Sequence, residues 1–326
     1  MKVCIVGGGS TYTPELLEGR HLRAARLDLT EVWLTDVDDE RLAVLGPLAR
    51  RMADKAVDEG SPRVRIEWST DRRRALAGSA FVVSQIRVGG MEARARDEQL
   101  GREFGLVGQE TVGVGGLANA FRTVPVALDI AADIAAEARD AVLLNFTNPA
   151  GLVTEALARN ASVDVVGLCN VPWTVRARVA RDLDVDAALV DLESVGLNHL
   201  SWFRRVVVGG QDRTDEVLAR LVERRSRRAP SDDPTAEPDW TPEEFADIGA
   251  IPNPYLRYYH QPDRWVARQE LVPSRASEVA RIEEALLRQY ADPALDRKPP
   301  ELTQRGGAFY SEAAAELMVD LVEARR

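Results

Sequence analysis

Two residues with ligand-forming side chains, Cys169 and His199, stand in short polar motifs that close apolar runs. These are Gly167-Leu168-Cys169-Asn170-Val171-Pro172 and Gly196-Leu197-Asn198-His199. One cysteine and one histidine are too few for a structural zinc site, which takes four protein ligands. They suffice for an open catalytic metal whose other positions are filled by water and substrate. Taken singly, each has a blander reading: a lone cysteine is a small buried hydrophobe, and a histidine a hydrogen-bonded core or surface residue. Neither of the other histidines, His21 and His260, has comparable surroundings.

A second centre of chemistry lies at the amino end. The apolar run of residues 2–6 enters Gly7-Gly8-Gly9-Ser10-Thr11-Tyr12, with a helix expected to follow. Glycines let a backbone approach a pyrophosphate closely, and the next helix points its first amides at the anion. The second expected strand ends at Thr35-Asp36, where a carboxylate can accept from ribose hydroxyls. Tyr12 stands where the third glycine of G-x-G-x-x-G belongs, so the loop alone would equally suit a turn that binds something else. Its position after the first strand, together with Asp36, puts dinucleotide binding ahead. Asp36 favours NAD over NADP, because a 2′-phosphate would meet a negative charge.

Further polar groups cluster in apolar settings. Asn145 and Asn148 flank the fifth expected strand in Asn145-Phe146-Thr147-Asn148-Pro149. Gly108-Gln109-Glu110-Thr111 leads into a run with Gly113, Gly115 and Gly116, read as flexible. Arg87 and Arg94 follow the fourth strand and suit an anionic substrate, since guanidinium grips phosphate or carboxylate in bidentate fashion. The alternative for either is a salt-bridged helix face. Tyr255-Leu256-Arg257-Tyr258-Tyr259 reads by itself as aromatic packing.

The elements that must carry these groups follow from periodicity. Residues 2–6, 31–35, 64–68, 81–85, 142–146 and 163–168 are Val-, Ile- and Leu-rich with little alternation, as expected of parallel strands covered on both faces. Helical stretches lie between them, including 39–59 and 120–138. The second places Phe121, Val124, Leu128, Ala131 and Ala135 along one face. Beyond about Leu168 the pattern changes. Residues 188–195 and 201–208 read as strands, the latter running into Gly209-Gly210, and 217–228, 278–290 and 311–325 as helices. Residues 229–240, with Pro230, Pro234 and Pro238, read as an exposed loop or disordered insertion. The expected architecture is α/β: a Rossmann-like doubly wound parallel sheet over residues 1–168, then a mixed α+β metal and substrate domain over 169–326.

Composition bounds the partners. In 326 residues, 42 basic and 52 acidic side chains leave a formal net charge of −10, which argues against general nucleic-acid binding. Lys2, Lys55 and Lys298 are the only lysines, so basic character is almost all arginine. Two cysteines make no disulfide framework in a chain this long, and no apolar run approaches the ~18 residues of a spanning helix. No leader segment is expected, because the start runs straight into a strand. A soluble, cytoplasmic protein with no membrane partner is expected.

Read together and in order, these segments resemble glycoside hydrolase family 4, the NAD- and metal-dependent glycosidases, and within it the 6-phospho-β-glucosidases. The matching stretches are 7–15, 87–98, 108–116, 145–155, 167–172, 196–199, 254–259 and 305–311. The resemblance implies Cys169 and His199 as metal ligands, usually for manganese, and Tyr255 as the catalytic base. It implies Arg94, Asn148, Asn170 and Arg275 as substrate-binding groups. Gly7, Gly8, Gly9, Ser10 and Thr11 would hold the NAD pyrophosphate. In α-specific members the residue after the metal cysteine is an aspartate acting as acid; Asn170 here points to the β-specific branch.

The implied chemistry departs from that of paired-carboxylate glycosidases. Hydride leaves sugar carbon 3 for NAD, the ketone acidifies the proton on carbon 2, elimination expels the aglycone, water adds, and the hydride returns. The substrate would be a phosphorylated disaccharide or aryl glucoside. Family members continue well beyond the 305–311 segment, so part of the substrate domain's pocket wall and of the usual subunit contacts is expected to be missing. A homo-oligomer is expected if those contacts are not essential. Two other readings compete: an NAD-dependent hydroxy-acid dehydrogenase, which shares the glycine loop and acidic second strand, and a non-catalytic NAD-binding remnant.

Overall fold

A computed structural model of the chain describes residues 1–21, 24–227, 233, 235–237, 239–307 and 309–325. Six short strands form the first sheet: β1 (Lys2–Val6), β2 (Glu31–Thr35), β3 (Arg65–Ser69), β4 (Phe81–Ser84), β5 (Val142–Asn145) and β6 (Asp164–Gly167). All pair in parallel, in the order β3-β2-β1-β4-β5-β6. The order reverses between β1 and β4, which opens a crevice beyond their carboxyl ends.

Successive side chains in a strand point to opposite faces, and the two faces bury different partners. Val3, Ile5, Val32 and Leu34 pack with Leu42, Leu45 and Leu48 of the helix Asp39–Asp58. Cys4, Val6, Val82 and Leu143 pack with Ala127, Ile130, Ala131 and Ile134 of the helix Gly113–Glu137. The two-sided covering expected for all six strands holds in the middle of the sheet and not at its edge, since β6 leaves Asp164 and Gly167 exposed. An edge strand has no neighbour to carry the covering helices past it.

The helix Gly113–Glu137 corrects two expectations. It begins seven residues before the expected 120, and the glycine run read as flexible is its first turn. A Cβ on Gly115 would lie 2.4 Å from the Asp97 carbonyl oxygen, so the glycines are there for close packing. The expected face holds only in part: Phe121 is 75% exposed, whereas Ala131 is fully buried and Val124 and Leu128 pack against the core beside the buried Ala120, Thr123, Ala127, Ile130 and Ile134. Small residues let this helix lie close to the sheet, and one aromatic is a poor guide to the buried side.

The second sheet is antiparallel: β7 (Val190–Leu197), β8 (Leu200–Val208), β9 (Gln211–Asp212) and β10 (Ile251–Pro252), in the order β10-β8-β7 with β9 also on β8. The strand expected at 188–195 starts two residues later, after a single 3-10 turn, Ala187–Leu189. Phe203, Val206, Val217, Leu221, Phe245 and Leu256 form its core with Val171, Val175 and Val179 of the helix Val171–Leu183. The chain then returns to the first sheet. Leu286 and Tyr290 of the helix Arg275–Tyr290, and Met318 and Val319 of the helix Tyr310–Arg325, join the core beside β1 and β2. Of the expected loop over 229–240, residues 229–232, 234 and 238 lie outside the described residues, as does Arg228 at the end of the helix expected over 217–228.

Candidate active site

At the carboxyl end of β1 the chain turns so tightly that side chains are excluded. Gly7 and Gly8 both donate to the Thr35 carbonyl at 2.9 Å. Gly7 takes φ +85°, and its Cβ would lie 2.9 Å from the Gln85 carbonyl oxygen. On Gly8 a Cβ would meet that of Leu34 at 2.7 Å. Gly9 donates to Asp36 Oδ2 at 2.9 Å, which ties the turn to the acidic end of β2. The helix Thr13–His21 follows. Each added Cβ would strike the chain itself, so glycine keeps the turn tight, and a tight turn opening a helix is a cradle that fits a dinucleotide pyrophosphate. Thr11 lies deepest of the expected contacts. It is fully buried, and its carbonyl accepts from the Tyr290 hydroxyl at 2.8 Å. Tyr12, in place of the third glycine, turns inward and donates to the Gly307 carbonyl.

From this cradle a cavity of about 1650 Å³ runs past Asn148, Asn170 and Tyr255, with Arg94, Arg275 and Tyr310 in its walls. Asn148 precedes a cis peptide bond to Pro149, and Asn170 precedes the first turn of the helix Val171–Leu183. The Asn170 backbone N–H is bonded to the Tyr310 hydroxyl. Asn145 does not reach the cavity. It is fully buried and holds the bend after β5 through Thr147 and Thr154.

Cys169 and His199 meet behind this wall, Sγ 3.6 Å from Nε2. Ligand bonds of about 2.0–2.3 Å to one cation would put a sulfur and a nitrogen roughly 3.5 Å apart. The pair therefore fits two positions on one divalent metal. Among the described residues no group of three or more His, Cys, Asp and Glu side chains could hold an ion, so the remaining positions fall to other donors. Burial pushes the His199 imidazole down to about 4, leaving it neutral and able to coordinate at pH 7. It also raises the Cys169 thiol, against hydrogen bonds from Val171 N–H and the Asn198 side chain that favour thiolate. His199 reaches this place because Asn198 and His199 are the two turn residues between β7 and β8, with His199 at φ +63°. A left-handed backbone at a residue with a Cβ costs about 1 kcal/mol or more, and here it aims the ring.

The Tyr255 ring lies flat on that of His199, centroids 3.6 Å apart. Burial raises the Tyr255 phenol well above its ordinary value, assisted by Tyr258, Cys169 and Glu110, while a hydrogen bond with Thr111 opposes the rise. Glu110 is itself buried between Arg87 and Arg94, the latter at 3.1 Å. Burial would raise its carboxyl, yet the two guanidinium groups hold it below the usual range.

The two arginines expected to bind substrate are both paired. Arg94 Nε donates to Glu98 at 2.8 Å. Arg275 meets Glu278 at 2.7 Å and donates to the carbonyls of Gln304 and Arg305. Residue reading missed the supporting groups. Thr111 and Glu110 were visible only in a polar stretch, Tyr310 only inside a matched stretch, and Glu283 only as a position in the helix expected over 278–290. Glu283 in fact receives Arg305 at 2.8 Å and Arg41 at 3.2 Å, bracing the glycine cradle against the C-terminal helices.

Residues 2–185 match the model of the family 4 glycosyl hydrolases, and 194–325 that of the family 4 glycosyl hydrolase C-terminal domain. The chain is 41% identical over 325 residues to a probable 6-phospho-beta-glucosidase of Bacillus subtilis (strain 168), covering 98% of this chain and 72% of that one. A solved 6-phospho-beta glucosidase from Thermotoga maritima with NAD and glucose-6-phosphate superposes with a TM-score of 0.88 at 33% identity, over 98% of this chain and 73% of that one. A second form of that enzyme, with manganese, NAD+ and glucose-6-phosphate, gives a TM-score of 0.87 at 32% identity, over 98% and 73%.

Proposed function

Because the chain belongs to glycosyl hydrolase family 4, we propose that it hydrolyses 6-phospho-β-glucosides, using NAD and a divalent cation such as manganese. The Cys169–His199 pair with Tyr255 stacked on it, at the far end of a dinucleotide cradle, is the observation that supports this most. Gly7, Gly8, Gly9, Ser10 and Thr11 would hold the pyrophosphate and Asp36 the ribose, while Cys169 and His199 would hold the cation. When bound, NAD supplies a two-electron acceptor for carbon 3 of the sugar, and the cation a Lewis acid for the ketone oxygen.

The chain's own residues then divide the work. Tyr255 takes the proton on carbon 2, acidified by the neighbouring ketone, as its phenolate, a form that the charge of a cation held on Cys169 and His199 would favour against burial, and Thr111 hydrogen-bonds the same oxygen. Asn148 and Asn170 orient sugar hydroxyls as amides, donating and accepting without changing charge. Arg94 and Arg275 face the phosphate. Asn170 has no proton to give a leaving oxygen, which suits elimination of a good leaving group from a β-linkage. A hydroxy-acid dehydrogenase would use the cradle and Asp36 but has no role for a thiol beside an imidazole and a phenol.

Among the described residues no helix is long and apolar enough to cross a membrane. A cytoplasmic location belongs to the proposal, because sugar phosphates do not cross membranes unaided. A homo-oligomer belongs to it too, supported by the apolar side chains that β7 leaves exposed, Val195 and Leu197. The test is release of a chromogenic aglycone from a 6-phospho-β-glucoside with NAD and manganese withheld singly. Turnover needing both supports the proposal; turnover indifferent to NAD overturns it.

A further inference from the structure

The helix Gly90–Glu103 presents Arg94, Glu98 and Arg102 to the cavity, one helical turn apart on a single face. The first two are tied. Arg94 lies between Glu98 and Glu110, and Glu98 Oε2 also accepts from Ala276 N–H at 3.0 Å, which seats this face on the first turn of the helix Arg275–Tyr290. Arg102, one turn on, is not. Its Nε is shielded from solvent without a hydrogen-bond partner, and among the described residues no carboxylate pairs with its guanidinium. Gly108 makes room for its stem, since a Cβ there would lie 3.1 Å from Arg102 Cγ.

Other arginines along the wall are accounted for differently. Arg275 is paired with Glu278, Arg268 gives its Nε–H to the Thr235 carbonyl, and Arg281 is exposed, where water solvates it. Arg94 and Arg275 thus bring charge that carboxylates already offset. A sugar phosphate is close to dianionic at neutral pH and needs cationic donors that are not offset. The terminal amino groups of Arg102 make no hydrogen bond with a described residue and are the donors such an oxygen would meet.

We infer that Arg102 is a further specificity-determining residue of this cavity, its guanidinium donating to the phosphate of a 6-phosphorylated sugar. The inference rests on the proposed phosphoglucoside reading and adds to it a partly buried cation whose charge no carboxylate among the described residues offsets. NAD also brings phosphates, so the test must separate the two sources.

Calorimetric titration of the full chain with glucose 6-phosphate, glucose and NAD does so, on the wild type, Arg102→Met and Arg102→Lys. Arg102→Met keeps the apolar stem and should weaken glucose 6-phosphate by roughly tenfold to a hundredfold. Glucose and NAD should bind it as they bind the wild type. Arg102→Lys restores charge without the planar fork and should fall between. With an aryl 6-phospho-β-glucoside, KM should rise in Arg102→Met far more than kcat falls. If Arg102→Met does not fold, Arg102→Lys carries the test, and unchanged glucose 6-phosphate affinity in the folded variant overturns the inference. Loss of NAD affinity with glucose 6-phosphate unaffected reassigns the arginine and overturns it equally. A wild type that binds glucose 6-phosphate no better than glucose overturns the phosphoglucoside reading itself.

Discussion

The imidazole of His199 and the phenol of Tyr255 lie parallel within 3°, centroids 3.6 Å apart, although 56 residues separate them in the chain. Both are anchored on the start of β8. His199 occupies the turn that precedes it. Tyr255 donates its backbone N–H to Asn253 Oδ1 at 3.0 Å, and Asn253 donates in turn to the Ser201 carbonyl and hydroxyl. The candidate metal ligand and the candidate base are therefore placed by one stretch of strand and cannot drift apart independently.

Tyr255→Phe keeps the ring and the stack but removes the proton acceptor. Turnover should fall by about 10²- to 10⁴-fold. Glucose 6-phosphate affinity should change little. Wild-type turnover in deuterated water should leave deuterium at carbon 2 of the product, read by NMR. Protium alone at that carbon would count heavily against the elimination route.

Cys169→Ser replaces a soft sulfur donor with a hydroxyl that does not ionise at neutral pH. Manganese affinity, followed by its electron paramagnetic resonance, should fall at least about tenfold. NAD binding should persist, because the glycine cradle makes no use of Cys169. Unaltered manganese binding would remove the thiol from the ligand set.

Asn170 bears on anomer choice. Without an acid at that position an α-linked aglycone loses the proton donor it would need, at a cost of about a hundredfold or more. The measurement compares kcat/KM for the α- and β-anomers of one aryl 6-phosphoglucoside. Preference for the α-anomer would sink this role for Asn170.

Glu283 should make stability depend on pH. Burial would raise its carboxyl, but Arg305 first and Arg41 after it hold it below the ordinary glutamate value. A depressed carboxyl stabilises fully above the unfolded value, about 4.3, and the contribution is lost as pH falls through the lower folded value. Glu283→Gln should therefore cost about 3 kcal/mol in urea unfolding at pH 7. The gap between variant and wild type should close at pH values well below 4. A gap that stays constant across that range would show that the carboxylate's charge contributes nothing.

Much of the frame was legible locally. The first sheet's strands begin and end within a residue or two of their apolar runs, because burial of a parallel strand demands a continuous run of Val, Ile and Leu. Gly7, Gly8 and Gly9 announced a turn with no room for side chains, and Asp36 closed the strand beside it as expected. Cys169 follows a strand and His199 sits in a hairpin turn, so both lie where loops meet a sheet end. Phe121 misled, since period alone gives the existence of a helix better than its rotation.

What one side chain does to another was decided only by packing. No local pattern brings Cys169 to within 3.6 Å of His199, or seats Glu98 on the Ala276 amide 178 residues away. Thr11 reads as a cradle residue, and only packing shows that its carbonyl is held inside the core by the Tyr290 hydroxyl, brought back by the C-terminal helices. Arg94 reads either as an anion-binding group or as part of a salt-bridged helix face, and the fold decides by setting it between two carboxylates while leaving Arg102 without one. Strands, turns and helices follow from neighbours in the chain, because backbone geometry and periodicity are local. Charge partners, shielding from water and the shape of a cavity follow from neighbours in space, and those exist only once distant segments have packed.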